Sequence, residues 1–349
     1  MIGTIFKYNS SNIKARALFG KLLDSHDYYE LLEKRTVQDV AGYLKKNTSY
    51  GHLLSDVNEA MVHRGDLEKL FKTSLYEDYI KLFRFLSGKA EEFLKAIFLR
   101  YETEDLKMLF RIVYNGEAGE PAKKYLFFLS SFSSLDFKKL TASKSIRDVI
   151  DNLKGSEYFK VLSPFWNVDK PISLFDIEMA LDLHYFMKIS KLKDELLSGA
   201  DLKSVGDIFG TEVDILNLLM IYRCKKLFHT SRELTFKYVI PYWYHLTREQ
   251  LVQLSGCRDT DGFKALVEKT KYAGIFDSSE EHLWEVNSMN YLYRIYKRHL
   301  RSDVFNIGTT IAYLHLKEID IRNIITLIEG VRYSLPKDEI RSYLIGISI

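Results

Sequence analysis

The sequence predicts an all-α protein built from three related segments, and three observations predict it. Proline and glycine are scarce, 5 and 18 among 349 residues, so long tracts run without a helix breaker. Apolar residues recur at i, i+3, i+4 and i+7, the spacing of one helix face. The same pattern of apolar and acidic residues then returns after 109 and again after 106 positions.

In chain order, the first repeated block is Thr36, Asp39, Val40, Leu44 and Lys45, which returns 109 residues later as Ser145, Asp148, Val149, Leu153 and Lys154. A weaker third copy sets Val267 and Tyr272 against Leu153 and Tyr158, and against Leu44 and Tyr50 with a one-residue slip. An amphipathic helix follows the first block, with Tyr76, Tyr79, Ile80 and Phe83 inside and Glu77, Asp78, Lys81 and Arg84 outside.

The stripes themselves are Leu106, Leu109, Phe110 and Val113; Ile215, Leu218, Leu219 and Tyr222; and Ile321, Ile324, Ile325 and Ile328. An aspartate directly precedes each one, Asp105, Asp214 and Asp320, with Glu102, Glu212 and Glu318 just upstream. Acidic groups suit the unpaired amides of a first helical turn, so these residues are expected to start helices, Thr211 to Asp214 as a capping arrangement. Further starts are expected at Ser173, ahead of Phe175 to Phe186, and at Thr247 with Gln250 three residues on. Breaks are expected at Asn115-Gly116, near Pro164 to Pro171, and at Ser334-Leu335-Pro336. A period this long exceeds the ~20 to 50 residues of common solenoid units, so each copy is read as a small helical bundle.

Fifty Lys and Arg stand against 47 Asp and Glu, a net charge of +3 with no basic arm or acidic tail. That balance argues against nucleic-acid binding, which rests on phosphate neutralisation by a concentrated basic face. Cys224 and Cys257 have neither metal-knuckle nor redox-pair spacing, and reduced thiols are expected. The first residues lack the basic start and apolar stretch of an export signal, and no apolar run approaches the ~18 residues of a membrane span.

Active-site chemistry is not visible. No Asp-Asp pair is present to hold magnesium against a diphosphate, and neither a Gly-x-x-x-x-Gly-Lys loop nor a His-Glu-x-x-His helix occurs. The nine histidines are scattered singly. No catalytic, cofactor or metal residue is therefore assigned. Basic clusters at Arg223, Lys225 and Lys226, and at Arg294, Lys297, Arg298 and Arg301, read either as solvated helix faces or as docking patches for an acidic surface. The stretch Pro241-Tyr242-Trp243-Tyr244-His245 reads either as packing under a helix start or as an exposed anchor.

Four segments, Thr48 to Gly51, Phe175 to Phe186, Glu212 to Arg223 and Lys317 to Pro336, resemble the C subunit of bacterial and archaeal rotary V/A-type ATPases, whose eukaryotic counterpart is the d subunit. The resemblance runs over nearly the full length. It implies three similar bundles, here residues 1–118, 119–227 and 228–349, in a pseudo-threefold arrangement forming a funnel. It further implies a rotor component, without cofactor, peripheral to the membrane on its cytoplasmic face. Its partners would be the proteolipid (c/K) ring, the D and F subunits of the central shaft, and the a/I subunit. A helical scaffold of an unrelated complex is the alternative. Glu212, Asp214, Asn217, Glu318, Asp320 and Asn323 are the candidate partner-binding residues, placed near the funnel axis, with helix capping as their competing role.

Overall fold

The repeated blocks are helix starts in a computed structural model of the chain, which describes residues 2–58, 64–117, 125–166, 173–278, 280–302 and 305–347. Thr36 Oγ1 accepts the Asp39 amide at 3.0 Å, Ser145 Oγ that of Asp148 at 3.1 Å, and Asp259 Oδ1 that of Gly262 at 2.9 Å. Each side chain satisfies an amide that the first helical turn leaves unpaired, and the helices Val37–Asn47, Ile146–Asn152 and Thr260–Val267 begin there. Beyond each lies a buried tyrosine, Tyr50, Tyr158 or Tyr272.

Among the described residues all regular structure is helical. The chain forms two compact units, Glu92–Leu196 and, separately, Met1–Glu91 with Leu197–Ile349. In the first, Leu106, Leu109, Phe110 and Val113 of the Arg100–Tyr114 helix pack into one core with Val149, Ile150, Tyr158, Ile177 and Leu181. The apolar stripe read from the sequence is thus the face that leaves water.

In the second unit the Gly308–Arg332 helix is buried on nearly every side, and it packs against Trp284–Ser302, Ile2–Phe19, Arg64–Phe83 and Gly199–Lys226. A helix so enclosed must find partners for every polar side chain it carries. Thr309, Thr310, His315, Lys317, Asp320 and Asn323 are all buried there, and their partners shape the rest of the unit.

Several expected boundaries hold. The Leu174–Leu196 helix begins at Ser173, whose hydroxyl accepts the Asp176 amide at 3.2 Å, and Thr247 and Gln250 form a reciprocal capping box. Helices end at Tyr114 and Arg332, followed by Gly116 at φ +76° and Ser334 at φ +54°.

Others do not hold. Asp214 and Asp320 do not start helices: they lie in the middle of Gly199–Lys226 and Gly308–Arg332, whose first turns are well upstream. Only the first copy has its acidic residue, Glu102, in a first turn. Asp78, expected to face solvent, is buried with Tyr313 Oη donating to it at 2.5 Å. The expected break near Pro164 to Pro171 does hold, since the helix Glu157–Trp166 ends inside that range; Pro164 itself is within the last turn, where Ser163 Oγ donates at 3.3 Å to Lys160 O, the carbonyl that the proline cannot serve. Pro171 lies outside the described residues.

Candidate functional site

Asp207, Gly210, Asp214 and Asn217 stand at i, i+3, i+7 and i+10 on the Gly199–Lys226 helix, one continuous face. That face holds the backbone of residues 240–246. Asp214 Oδ1 accepts the Tyr244 amide at 3.1 Å, while Oδ2 accepts the His245 amide at 2.7 Å, the Leu246 amide at 3.1 Å and Tyr272 Oη at 2.8 Å. Asn217 grips one residue twice, accepting the Ile240 amide at 2.8 Å and donating to its carbonyl at 3.1 Å, with a second donation to Tyr242 O at 3.3 Å. Gly210 permits the approach: a Cβ there would lie 2.5 Å from Tyr244 Cγ.

The third stripe helix repeats the device with different clients. Asp320 accepts Tyr28 Oη at 2.6 Å and Tyr50 Oη at 2.5 Å, and Asn323 accepts and donates to the Ile345 backbone at 2.9 Å each way. Asn217 and Asn323 are therefore equivalent in action as well as in position. In the Glu92–Leu196 unit the tyrosine partner is Glu102, reached by Tyr158 Oη at 2.8 Å, while Asp105 accepts the Leu129 amide at 3.0 Å. Methionine at 108 stands where the other copies have asparagine, so the first copy lacks that grip.

Burial holds the carboxyls of Asp214 and Asp320 above the ordinary aspartate range, although their hydrogen bonds pull the other way. Burial also raises the Tyr28, Tyr50 and Tyr272 hydroxyls, with the adjacent aspartate adding to the effect, so these phenols remain donors. A carboxylate with four donors has no free lone pair for a base or a metal. Among the described residues no group of His, Cys, Asp and Glu is placed to hold a metal ion.

Of the six residues singled out from sequence, Asp214, Asn217, Asp320, Asn323 and Glu212 are buried, and Glu318, half-buried, lies 2.9 Å from His315 Nδ1. The aspartates and asparagines are not helix caps; they act on chain segments remote in sequence. What they hold in the second copy is accessible: Trp243 and Tyr244 are 43% and 39% exposed, which favours the anchor reading of that stretch over burial under a helix start. Sequence reading did not single out Asp207, Gly210, Tyr28 or the Ile345 backbone. The basic clusters are largely engaged within the chain, Arg223 with Glu285, Lys226 with Glu281, Arg298 with Asp207 and Lys297 over the Phe19 ring. A cavity of about 320 Å³ beside Asp320 is lined in part by Tyr28, Tyr293, Lys297 and Asn323. Among the described residues no helix is long and apolar enough to cross a membrane.

Asp207 gives this face a pH signature. Burial raises its pKa, but a 2.7 Å contact from His299 Nε2 and the Arg298 guanidinium outweigh that and set it at about 2. A carboxyl with a depressed folded pKa contributes stability that is complete above its unfolded value and is lost as pH falls through the folded one. We expect stability to fall between pH ~4 and ~2 by up to about 2 kcal/mol from this group, less whatever solvent screens. Asp207→Asn should flatten that limb in urea unfolding measured against pH. An unchanged acid limb would place its origin elsewhere. Asp214 has the opposite sign: its raised folded pKa makes charging it unfavourable, so its own contribution declines as pH rises above ~4.

A family model described as ATP synthase (C/AC39) subunit matches residues 12–343. Among curated proteins, the chain is 25% identical to the C subunit of the A-type ATP synthase of Methanocaldococcus jannaschii, covering 99% of this chain and 88% of that one. The same subunit of Methanosphaera stadtmanae is 25% identical, with 97% and 88% covered, and that of Methanosarcina barkeri 26% identical, with 96% and 91% covered.

Proposed function

Since this chain belongs to the ATP synthase (C/AC39) subunit family, we propose that it seats the central shaft of an A/V-type ATP synthase on the membrane proteolipid ring and turns with both. It is a non-catalytic subunit of such a complex, and its partners are other subunits of that complex. Family membership sets aside the scaffold of an unrelated assembly. The finer reading is ours: contacts with the ring, with the D and F subunits of the shaft and with the a/I subunit, on the cytoplasmic face, by three bundles, residues 1–118, 119–227 and 228–349, arranged as a funnel. Support for three bundles comes from the capped helix, buried tyrosine and carboxylate, which occur together three times.

A coupling piece needs stiffness and a mating surface rather than reactive groups. Dense helical packing supplies the first, because interiors at crystal-like density resist deformation. One observation carries the second: an exposed Trp243-Tyr244-His245 segment whose backbone is clamped from inside by Asp214 and Asn217. Aromatic side chains on a backbone that cannot move lose little entropy on binding and make effective anchors. In this reading Asp214, Asn217, Asp320 and Asn323 serve partner binding as positioning residues, holding the segments that touch the shaft, with Glu212 and Glu318 beside them on the same two helices.

The test is capture of purified shaft subunits and, separately, of the proteolipid ring. Trp243→Ala should weaken shaft binding by about ten- to a hundredfold while leaving thermal stability near wild type, since the side chain is exposed. Wild-type affinity in that variant would remove the segment from the shaft interface. Failure of the unmutated chain to capture either partner would sink the coupling role.

A further inference from the structure

We propose that a basic face of the Ile2–Phe19 and Trp284–Ser302 helices, carrying Arg16, Arg294, Lys297 and Arg301, docks an acidic segment of a partner protein. Arg294, Lys297 and Arg301 stand at i, i+3 and i+7, one face of the Trp284–Ser302 helix. Arg16 joins them from the other helix, where its Nε donates to Leu300 O at 3.2 Å and its Nη2 to Arg301 O at 3.3 Å. All four lie within the unit formed by Met1–Glu91 and Leu197–Ile349, and none is among the residues assigned to the shaft contact.

The fold leaves this positive charge without a counter-charge. Among the described residues none of the four cations has an ion-pair partner, whereas the adjacent Arg298 is taken by Asp207. The Ile2–Phe19 helix contains no Asp or Glu, and the Trp284–Ser302 helix contains one, Glu285, which Arg223 engages. Arg294 and Lys297 lie over the Tyr291 and Phe19 rings, 5.5 and 4.3 Å from their centres, contacts that hold the side chains without cancelling their charge. Burial, with Arg301 adding to it, keeps the Lys297 ammonium below the ordinary lysine range, and no carboxylate of the chain pulls it back. Like charges held on one helix face repel, and a partner of opposite sign turns that repulsion into complementarity.

At Arg294 the face borders a polar cleft of about 410 Å³, lined in part by Ser278, Asn287, Asn290 and Tyr293 and by no acidic residue. Tyr293 Oη has no hydrogen-bond partner among the described residues, and neither has Asn290 Nδ2, because Asn290 uses its oxygen to accept the Gly346 amide at 2.7 Å. Gly346, at φ +73°, leaves room for the tyrosine: a Cβ there would lie 2.5 Å from Tyr293 Cζ. A guanidinium fork with hydroxyl and amide donors beside it matches the planar, two-oxygen acceptor of a carboxylate. The carboxylates in the surroundings are placed elsewhere. Asp277 lines a separate cavity with Lys264, and Asp24, in the cavity beside Lys297, accepts the Asp27 amide at 3.0 Å as a helix cap. From Arg294 to Arg301 the helix rises about 10 Å, so a row of carboxylates on one chain matches the four cations where a single small ion does not.

The probe is a fluorescent poly-glutamate peptide of about eight residues, enough at ~3.3 Å per residue to span the face, titrated into the full chain and followed by anisotropy. Saturable one-to-one binding is expected, weakened by added salt and by about tenfold in Arg294→Ala and in Arg301→Ala. A poly-glutamine peptide of the same length should not bind. Lys138→Ala, an exposed lysine of the Glu92–Leu196 unit, should bind as wild type does. Arg294 and Arg301 are exposed, so their variants should keep the wild-type melting temperature and report on binding alone. Absence of saturable binding, wild-type affinity in both arginine variants, or an equal loss in Lys138→Ala overturns the proposal. So does flotation with phosphatidylglycerol vesicles that the peptide does not compete, which would give the face to a membrane surface.

Discussion

Asp214→Ala should cost about 3–5 kcal/mol of unfolding free energy. The carboxylate accepts three consecutive backbone amides, from Tyr244, His245 and Leu246, together with Tyr272 Oη. Removing it orphans four donors at once. An unsatisfied buried donor costs roughly 1–3 kcal/mol, and partial hydration of the exposed 243–245 segment keeps the sum below the arithmetic maximum. Burial of the charge works against the wild type, as the raised pKa of Asp214 records, and this too limits the net loss.

A graded series makes the argument specific. Asp214→Asn keeps an acceptor but turns an amide donor toward backbone amides, so it should lose nearly as much as alanine. Tyr272→Phe removes one donor and leaves the three amides bound, and should cost about 1 kcal/mol. Urea midpoints should fall in the order Tyr272→Phe, Asp214→Asn, Asp214→Ala with unchanged slopes, because the surface exposed on unfolding is the same. An alanine variant within ~1 kcal/mol of wild type would mean that water replaces the carboxylate. Against a total stability of about 5–15 kcal/mol, the predicted loss brings the protein near its unfolding threshold.

The aspartate was legible in the sequence, but its task was not. Its spacing from Asp105 and Asp320 marked a repeat, and the apolar residues after it marked a helix face that is indeed buried. Local rules then suggested a helix start, because an acid ahead of an apolar stripe is what a first turn prefers. In the structure the helix runs straight through, and the acid serves partners 30 to 58 residues away. For Asp320 the tyrosines are 270 and 292 residues away, at the other end of the chain. Periodicity reports which face of a helix is buried. It is silent on which remote segment a buried polar group will meet, since that depends on tertiary packing. Caps at Thr36, Ser145, Ser173 and Thr247 join side chain and amide within three residues, and the helices at all four begin there. The exposed Trp243 illustrates the same limit: aromatic composition alone does not distinguish a packed ring from a presented one.

Gly210 gave no signal in the sequence at all, yet its replacement by alanine should be destabilising by about 2–3 kcal/mol. On intrinsic preference the change should help, since alanine in a helix interior is favoured over glycine by roughly 1 kcal/mol. Packing opposes it more strongly. The added Cβ would lie 2.5 Å from Tyr244 Cγ and 2.6 Å from Tyr244 Cβ, distances no side chain tolerates. Those atoms are the root of the residue and not a flexible tip, so relief requires moving the backbone. That backbone is fixed by Asp214, one turn along the same face, through the amides of residues 244 to 246. The new methyl group and the Asp214 carboxylate would therefore compete for the position of a single segment, and the effects of the two substitutions should not add. In a double-mutant cycle, Gly210→Ala should cost much less once Asp214→Ala has released the segment, with an interaction energy of about 1–2 kcal/mol. Additivity within ~0.5 kcal/mol would show that Tyr244 yields to the methyl group without disturbing the clamp.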